Sequence, residues 1–198
     1  DLIKGVYYPK GGMCQYPEQL ANACANAGAK FEFNTTVESI RKNNNACELM
    51  VNGIAELYDA VICNADLPYS YPEIFNLDMP KKVKNAKYSP SCILYVVGGE
   101  FEVKRELTHH NIIFSQNTEK SFNELIKSKI LMSDPSILIS NPTLSDGSLA
   151  PKGKEIFYVL EPSPNLDSKD IYSDKDNLKE RMQSHLSKAG IKTINLEC

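Results

Sequence analysis

The sequence is short of the groups from which most recognisable active sites are built. Its 198 residues contain three histidines, His109, His110 and His185. The adjacent pair leads straight into Asn111-Ile112-Ile113-Phe114, and neighbouring side chains on a strand point to opposite faces, so the two imidazoles cannot share one metal. No cysteine or carboxylate cluster completes a coordination set, and no metal is expected. The six cysteines, at positions 14, 24, 47, 63, 92 and 198, lie far apart with no C-x-x-C pair, which suggests neither a zinc site nor a disulfide framework. Cys24, Cys63 and Cys92 fall in apolar runs like small core residues, as suits a reducing cytoplasm. Ser115, Ser148 and Ser163 lack a G-x-S-x-G setting, so an acyl-transfer nucleophile is unsupported. Lysines and arginines are scattered singly on a chain of net charge −3, which gives no nucleic-acid-binding stripe. No apolar run approaches the ~20 residues of a spanning helix, and membrane contact is expected to be peripheral at most.

What is present is an ordinary globular composition, 42% hydrophobic and 24% charged, long enough for one large domain or two small ones. The first residue is Asp1 rather than Met, and Cys198 follows a helix by a few residues; the chain reads as a piece of a longer protein. Its organising stretch is Tyr58 to Asp66. Ala60 to Cys63 is too short for a helix and shows no alternation, so it predicts a strand covered on both faces. The small and polar residues Asn64, Ala65 and Asp66 then stand at the carboxyl end of that strand, where open α/β sheets hold ligands. A simple turn before Pro68 is the plainer alternative.

Around it, Gly5 to Pro9 predicts a short extended segment. Met13 to Ala27 places apolar residues at steps of three or four and predicts a helix, with Pro17 in its first turn and Gly28 as its stop. Gly11 and Gly12 at its mouth suit either the close approach of an anion or a plain loop. Ala29 to Val37 alternates like a strand, and Asn52-Gly53 between two short runs predicts a hairpin. Lys81, Lys82, Lys84 and Lys87 suggest a short solvated helix. Strands are then expected over Ser91–Gly98, Asn111–Ser115, Ser136–Asn141 and Ile156–Pro162, with helices over Thr118–Leu131 and Asp176–Ala189. Cys92 to Val97 and Ile137 to Ile139 put apolar residues on both sides of their sheet, which therefore needs two covers. The helices can supply one.

Six stretches run in order over nearly the whole chain: Gly5 to Gly12, Gly28 to Val37, Ala60 to Asp66, Leu107 to Phe114, Ser148 to Gly153 and Phe157 to Leu166. Together they resemble the phytoene desaturase family, FAD-dependent carotenoid desaturases and isomerases related to flavin amine oxidases. Leu149-Ala150-Pro151-x-Gly153 and Tyr158-Val159-Leu160-x-Pro162-x-Pro164 are specific to that family; the Asn-Ala-Asp tip is shared by many flavin oxidoreductases. The resemblance implies that FAD is held by an amino-terminal G-x-G-x-x-G turn, by a strand ending at Val37 whose backbone meets the adenine, and by a carboxyl-terminal segment near the flavin ring. Only the middle element occurs in this sequence.

The resemblance thus implies an α/β (α+β mixed) central fragment. Residues 1–67 would form part of a Rossmann-like FAD-binding subdomain, and 68–198 most of a mixed-sheet substrate domain with helices. Val37, Asn64, Ala65, Asp66, Gly11 and Gly12 are the expected cofactor contacts, and no catalytic residue is assigned. The parent enzyme would desaturate a long polyene, phytoene or a related carotenoid precursor, by hydride transfer to FAD. The fragment alone is expected to be inactive and to retain no FAD. The second cover of the substrate sheet would be the polyene in a tunnel, the alternative being a closed two-sided core. The implied location is cytoplasmic with peripheral membrane contact. Two other classes remain open: a different amine-oxidase-type flavoenzyme, and a non-catalytic isoprenoid-binding module.

Overall fold

The computed structural model describes residues 5, 7–104, 106–166, 168 and 172–197; Asp1 and Cys198, named above, and Val6, within the segment expected to be extended, lie outside these. The chain divides into two compact units, residues 23–87 and residues 1–22 with 88–198. Helix α1, Gln15–Asn26, runs across the boundary. It ends as its sequence requires: Gly28 takes φ +97°, and the Gly28 and Ala29 N–H groups donate back to the Ala25 and Cys24 carbonyls. Although its apolar residues recur at helical spacing, α1 buries none of them.

In the smaller unit, β1 (Val37–Asn43), β2 (Ala46–Val51) and β3 (Ile54–Tyr58) form an antiparallel meander. Asn52 and Gly53 join β2 to β3 with φ +48° and +78°, the left-handed pair that matches strand twist in a two-residue hairpin. The Asn52 side chain accepts from the Thr36 N–H, and the Gly53 N–H donates to Glu38, so the turn also fixes the start of β1.

Two expected strands are absent from this unit. Residues 29–36 join no ladder among the described residues, because Asn34 at φ +54° breaks the extended run; Phe31 and Phe33 instead stack on each other at 6.2 Å. Val37 therefore opens a strand rather than closing one. Ala60 to Cys63 likewise forms no strand, and Ile62 is 95% exposed. A strand covered on both faces requires a neighbouring strand and two apolar layers. The described residues provide neither beside it. The chain continues through α2 (Leu67–Tyr69), a wider turn over Ser70–Ile74, and α3 (Lys81–Lys84), whose three lysines are exposed as expected.

The larger unit is built on a five-stranded sheet in the order β5-β6-β7-β4-β8, antiparallel at every pairing. Its strands are β4 (Ser91–Val103), β5 (His110–Ile113), β6 (Ile137–Ser140), β7 (Glu155–Ser163) and β8 (Ile191–Glu197). Helix α4 (Thr118–Phe122), extended by a wider turn over Asn123–Ser128, lies between β5 and β6, and α5 (Lys175–Lys188) precedes β8. β4 runs five residues beyond the Gly98 expected as its end, because there it changes partner from β7 to β8. Gly99 permits the change: a Cβ at this position would stand 2.1 Å from the Asn195 carbonyl oxygen.

One face of this sheet is closed. Val97, Ile137, Ile139, Phe157 and Val159 point into a core completed by Leu186 and Ala189 at the end of α5 and by Ile191. Phe101 meets Phe157 edge to face at 4.9 Å. Each such side chain removed from water contributes about 1.5–3 kcal/mol, so this face holds the unit together.

Candidate functional site

The opposite face of the sheet is open and apolar. Along β7 the side chains alternate, with Phe157, Val159, Glu161 and Ser163 buried on the closed side and Ile156, Tyr158, Leu160 and Pro162 on the other. The register places Leu94, Leu160, Leu138 and Ile112 in one row across β4, β7, β6 and β5. Leu94 is 50% exposed and Ile112 60%, and Val96 and Tyr158 stand exposed in the next row. Four strands about 4.8 Å apart make this an apolar band about 14 Å wide.

The edge of the band near β5 carries polar rings. The His109 ring lies 4.7 Å from that of Tyr8 and 4.5 Å from that of His110, and its Nδ1 is 2.5 Å from Ser145 Oγ. Burial, and then the neighbouring His110, push the His109 imidazole below its usual value. The Tyr8 phenol is pushed up by burial first and then by Tyr158 and Asp146.

Gly11 and Gly12 meet this same unit. The Gly11 N–H donates to Asp146 Oδ2 at 2.7 Å, while Asp146 Oδ1 accepts from the Ser148 N–H and hydroxyl. The Ser148 hydroxyl and the Gly11 amide hold the Asp146 carboxyl below the usual carboxylate range. The anion at the glycine pair is thus the protein's own carboxylate. Gly12, at φ +92°, lies where a Cβ would press on Leu149 at 3.3 Å.

A second cluster lies beneath the closed face, and sequence reasoning missed it. Glu161 is fully buried and receives Arg181 through Nε at 3.1 Å and an Nη at 3.0 Å, together with His185 Nε2. That Arg181 Nη also donates to the Met132 carbonyl at 2.8 Å, and the Tyr95 hydroxyl approaches Glu161 at 3.4 Å. Burial alone would raise the Glu161 carboxyl, but hydrogen bonds from His185 and Arg181 outweigh it and hold the group low. Burial and the Glu161 charge push the Tyr95 phenol well up. Among the described residues His185 Nδ1 has no partner. The available signal was a lone acid between Leu160 and Pro162, with Arg181 and His185 four apart on one helix face.

The remaining expected contacts, Val37, Asn64, Ala65 and Asp66, belong to the smaller unit, while Gly11 and Gly12 belong to the larger. Val37 is partly exposed at the start of β1, and Asn64 to Asp66 are exposed, the Asp66 carbonyl accepting from the Ser70 N–H and hydroxyl. The smaller unit also has a cavity of about 840 Å³, lined in part by Arg41, Asn45, Cys47, Asp59 and Phe75 and by none of the expected contacts.

Residues 2–191 match the family model for flavin containing amine oxidoreductases. The chain belongs to that family. It is 36% identical over 168 residues to a phytoene dehydrogenase of Streptomyces griseus, covering 84% of this chain and 32% of that one. It is 33% identical over 172 residues to a zeta-carotene-forming phytoene desaturase of Myxococcus xanthus, covering 83% of this chain and 32% of the relative. A 4,4'-diapophytoene desaturase of Staphylococcus aureus (strain Newman) shares 34% over 176 residues, 84% of this chain and 35% of its own. These relatives bear out the resemblance to phytoene desaturases. The chain spans about a third of their length. Its fold matches the crystal structure of an oxidoreductase from Methanosarcina mazei with a TM-score of 0.60 at 15% identity, over 96% of this chain and 42% of that one.

Family membership implies FAD. The exposed, small residues Asn64 to Asp66 suit a nucleotide edge, whereas the sequence contains no G-x-G-x-x-G turn for a pyrophosphate. The residues present fit part of the cofactor. Among the described residues no helix is long and apolar enough to cross a membrane.

Proposed function

We propose that this chain is the central part of an FAD-dependent desaturase acting on a long polyene such as phytoene or a related carotenoid precursor, and that the open sheet face is the surface on which the polyene lies. The observation that carries this reading is the apolar row Leu94, Leu160, Leu138 and Ile112, exposed at its two ends and half-buried between them, on a sheet whose other face is closed by α5. Apolar surface of this extent is unusual on a soluble protein without a partner. The activities for which the relatives are named favour a polyene as that partner.

In this reading, the sheet residues bind the chain by apolar contact, keep water from it and hold it straight across four strands. FAD, when bound, supplies the hydride acceptor. Val37 and Asn64 to Asp66 would face the adenine side of the cofactor, making residues 1–67 part of the flavin subdomain and 68–198 most of the substrate domain. Polyene recruitment from a membrane surface would make the parent protein a peripheral one.

The test is Leu94→Glu in the full-length protein. Leu94 is the appropriate position because it points outward, whereas its neighbour Tyr95 points inward towards Glu161. Polyene turnover is expected to fall at least about tenfold with flavin absorbance unchanged, since a charge on a buried apolar contact costs more than 1.4 kcal/mol. Unchanged turnover with unchanged folding would reject the reading. Polyene binding without any turnover by the wild-type flavoprotein would favour a carrier over an enzyme.

A further inference from the structure

A second apolar feature adjoins the open sheet face at the start of α1. The turn from Pro9 to Gly12 closes through the Gly12 N–H and the Pro9 carbonyl at 3.1 Å, with Gly11 and Gly12 at φ +87° and +92°. It sets the segment before it beside the first turns of α1 and leaves a cavity of about 460 Å³ there, within the range of small-molecule pockets. Tyr7, Tyr8, Pro9, Met13 and Tyr16 form most of its wall, and Tyr7, Met13 and Tyr16 are exposed. Among the described residues no Lys, Arg, His, Asp or Glu lines it, and Gln15, one of its two glutamines, already donates to Glu18 at 3.0 Å.

This pocket is tied to the open face. The bond from the Gly11 N–H to Asp146 anchors the turn to the loop between β6 and β7. Tyr8, which lines the pocket, also lies 4.7 Å ring to ring from His109, just before β5, and within electrostatic reach of Tyr158, which stands on the open face in the row beside Leu160. The apolar surface thus continues from the sheet past two tyrosine rings into the pocket. The row from Leu94 to Ile112 spans only about 14 Å, less than an extended carotenoid precursor, so a chain lying along it has an end to place beyond it. Branched apolar ends pack well against aromatic rings and a flexible thioether. The relatives, moreover, are named for skeletons that differ at their termini, since 4,4'-diapophytoene is phytoene cut back at both ends.

We propose that the pocket between the Tyr7–Pro9 segment and α1 seats one hydrocarbon end of the polyene, and that Tyr7, Met13 and Tyr16 thereby select chain length. The occupant is the terminal isoprene portion that phytoene has and 4,4'-diapophytoene lacks. This rests on the reading of the open face as a polyene surface and extends that surface to the end of the chain.

The experiment measures the dissociation constants of the full-length flavoprotein for phytoene and for 4,4'-diapophytoene. Phytoene is expected to bind about tenfold more tightly, the ratio that burial of about two further methylene groups supplies. Met13→Trp, at an exposed position, fills the pocket and should bring the two constants to within about twofold by weakening phytoene alone. Tyr16→Glu, which puts a charge in the pocket wall, is the second variant and should weaken phytoene likewise with 4,4'-diapophytoene unchanged. Equal or tighter binding of the shorter skeleton by the wild type, variants that weaken both skeletons alike, or variants that weaken neither would overturn the pocket. A lowered melting midpoint in both ligand-free variants would show that another part of the full-length chain fills it, with the same consequence. Leu94→Glu separates the two readings. If it weakens both skeletons while the pocket variants change neither, only this inference falls; if it changes neither, the open-face reading falls with it.

Discussion

Replacing Glu161 by leucine should destabilise the larger unit by about 3 kcal/mol. Breaking a buried ion pair by removing one partner costs about 3–5 kcal/mol, because the other charge is left uncompensated. The lower end applies here, since the Arg181 side chain is 19% exposed and retains its bond to the Met132 carbonyl. His185, by contrast, would be left buried with neither nitrogen paired among the described residues. Urea unfolding followed by circular dichroism measures the effect, and with a slope of about 1–3 kcal/mol per molar the midpoint should fall by about 1 M or more. Adding Arg181→Met removes the stranded charge and should recover part of the loss, giving a coupling of about 1–3 kcal/mol in the double-mutant cycle. A single variant within about 0.5 kcal/mol of wild type, or a double variant less stable than Glu161→Leu, would refute this reasoning. The same cluster sets an acid limb. The folded Glu161 carboxyl lies below its unfolded value of about 4.3, so its contribution is complete above that pH and is lost as pH falls through the lower folded value. Glu161→Leu should flatten that limb.

Two further outcomes are expected. Asp146→Ala removes the acceptor of the Gly11 amide, so hydrogen exchange at Gly11 should accelerate while the β4 and β7 core amides stay protected; unchanged exchange at Gly11 would show that Asp146 does not hold the glycine pair. The 198-residue chain purified alone should carry no stoichiometric flavin, because the glycine-rich turn that grips a pyrophosphate is not in its sequence; one flavin per chain in the absorption spectrum would contradict this.

Local signals carried well where the cause of structure was local. Asn52-Gly53 specified the hairpin because only a left-handed pair closes it. Pro17 and Gly28 bracketed α1, and the strand expected over Ile156–Pro162 is β7. The failures share a different origin. Ala60 to Cys63 has the composition of a buried strand, but a strand exists only with a partner, and none lies beside it among the described residues. Residues 29–36 alternate properly, yet Asn34 at positive φ interrupts them. No strand was expected after the helix over Asp176–Ala189, although Ile191 and Thr193 alternate with Lys192; Gly190, at φ +73°, both stops α5 and turns the chain into β8.

The candidate site was legible in part. Apolar residues on both sides of β4 and β6 required a second cover for the sheet, and the open face with Leu94 and Ile112 is what that requirement left. Glu161 was not legible, since a single acid in a strand ordinarily points to solvent; its burial depends on Arg181 and His185 arriving from a helix twenty or more residues later.

The most direct test is a structure of the full-length flavoprotein with its polyene bound. The polyene should run across β4, β7, β6 and β5, within the ~4.5 Å of apolar contact from Leu94, Leu160, Leu138 and Ile112. A structure in which that face is packed by protein, with the polyene bound elsewhere, would contradict the account.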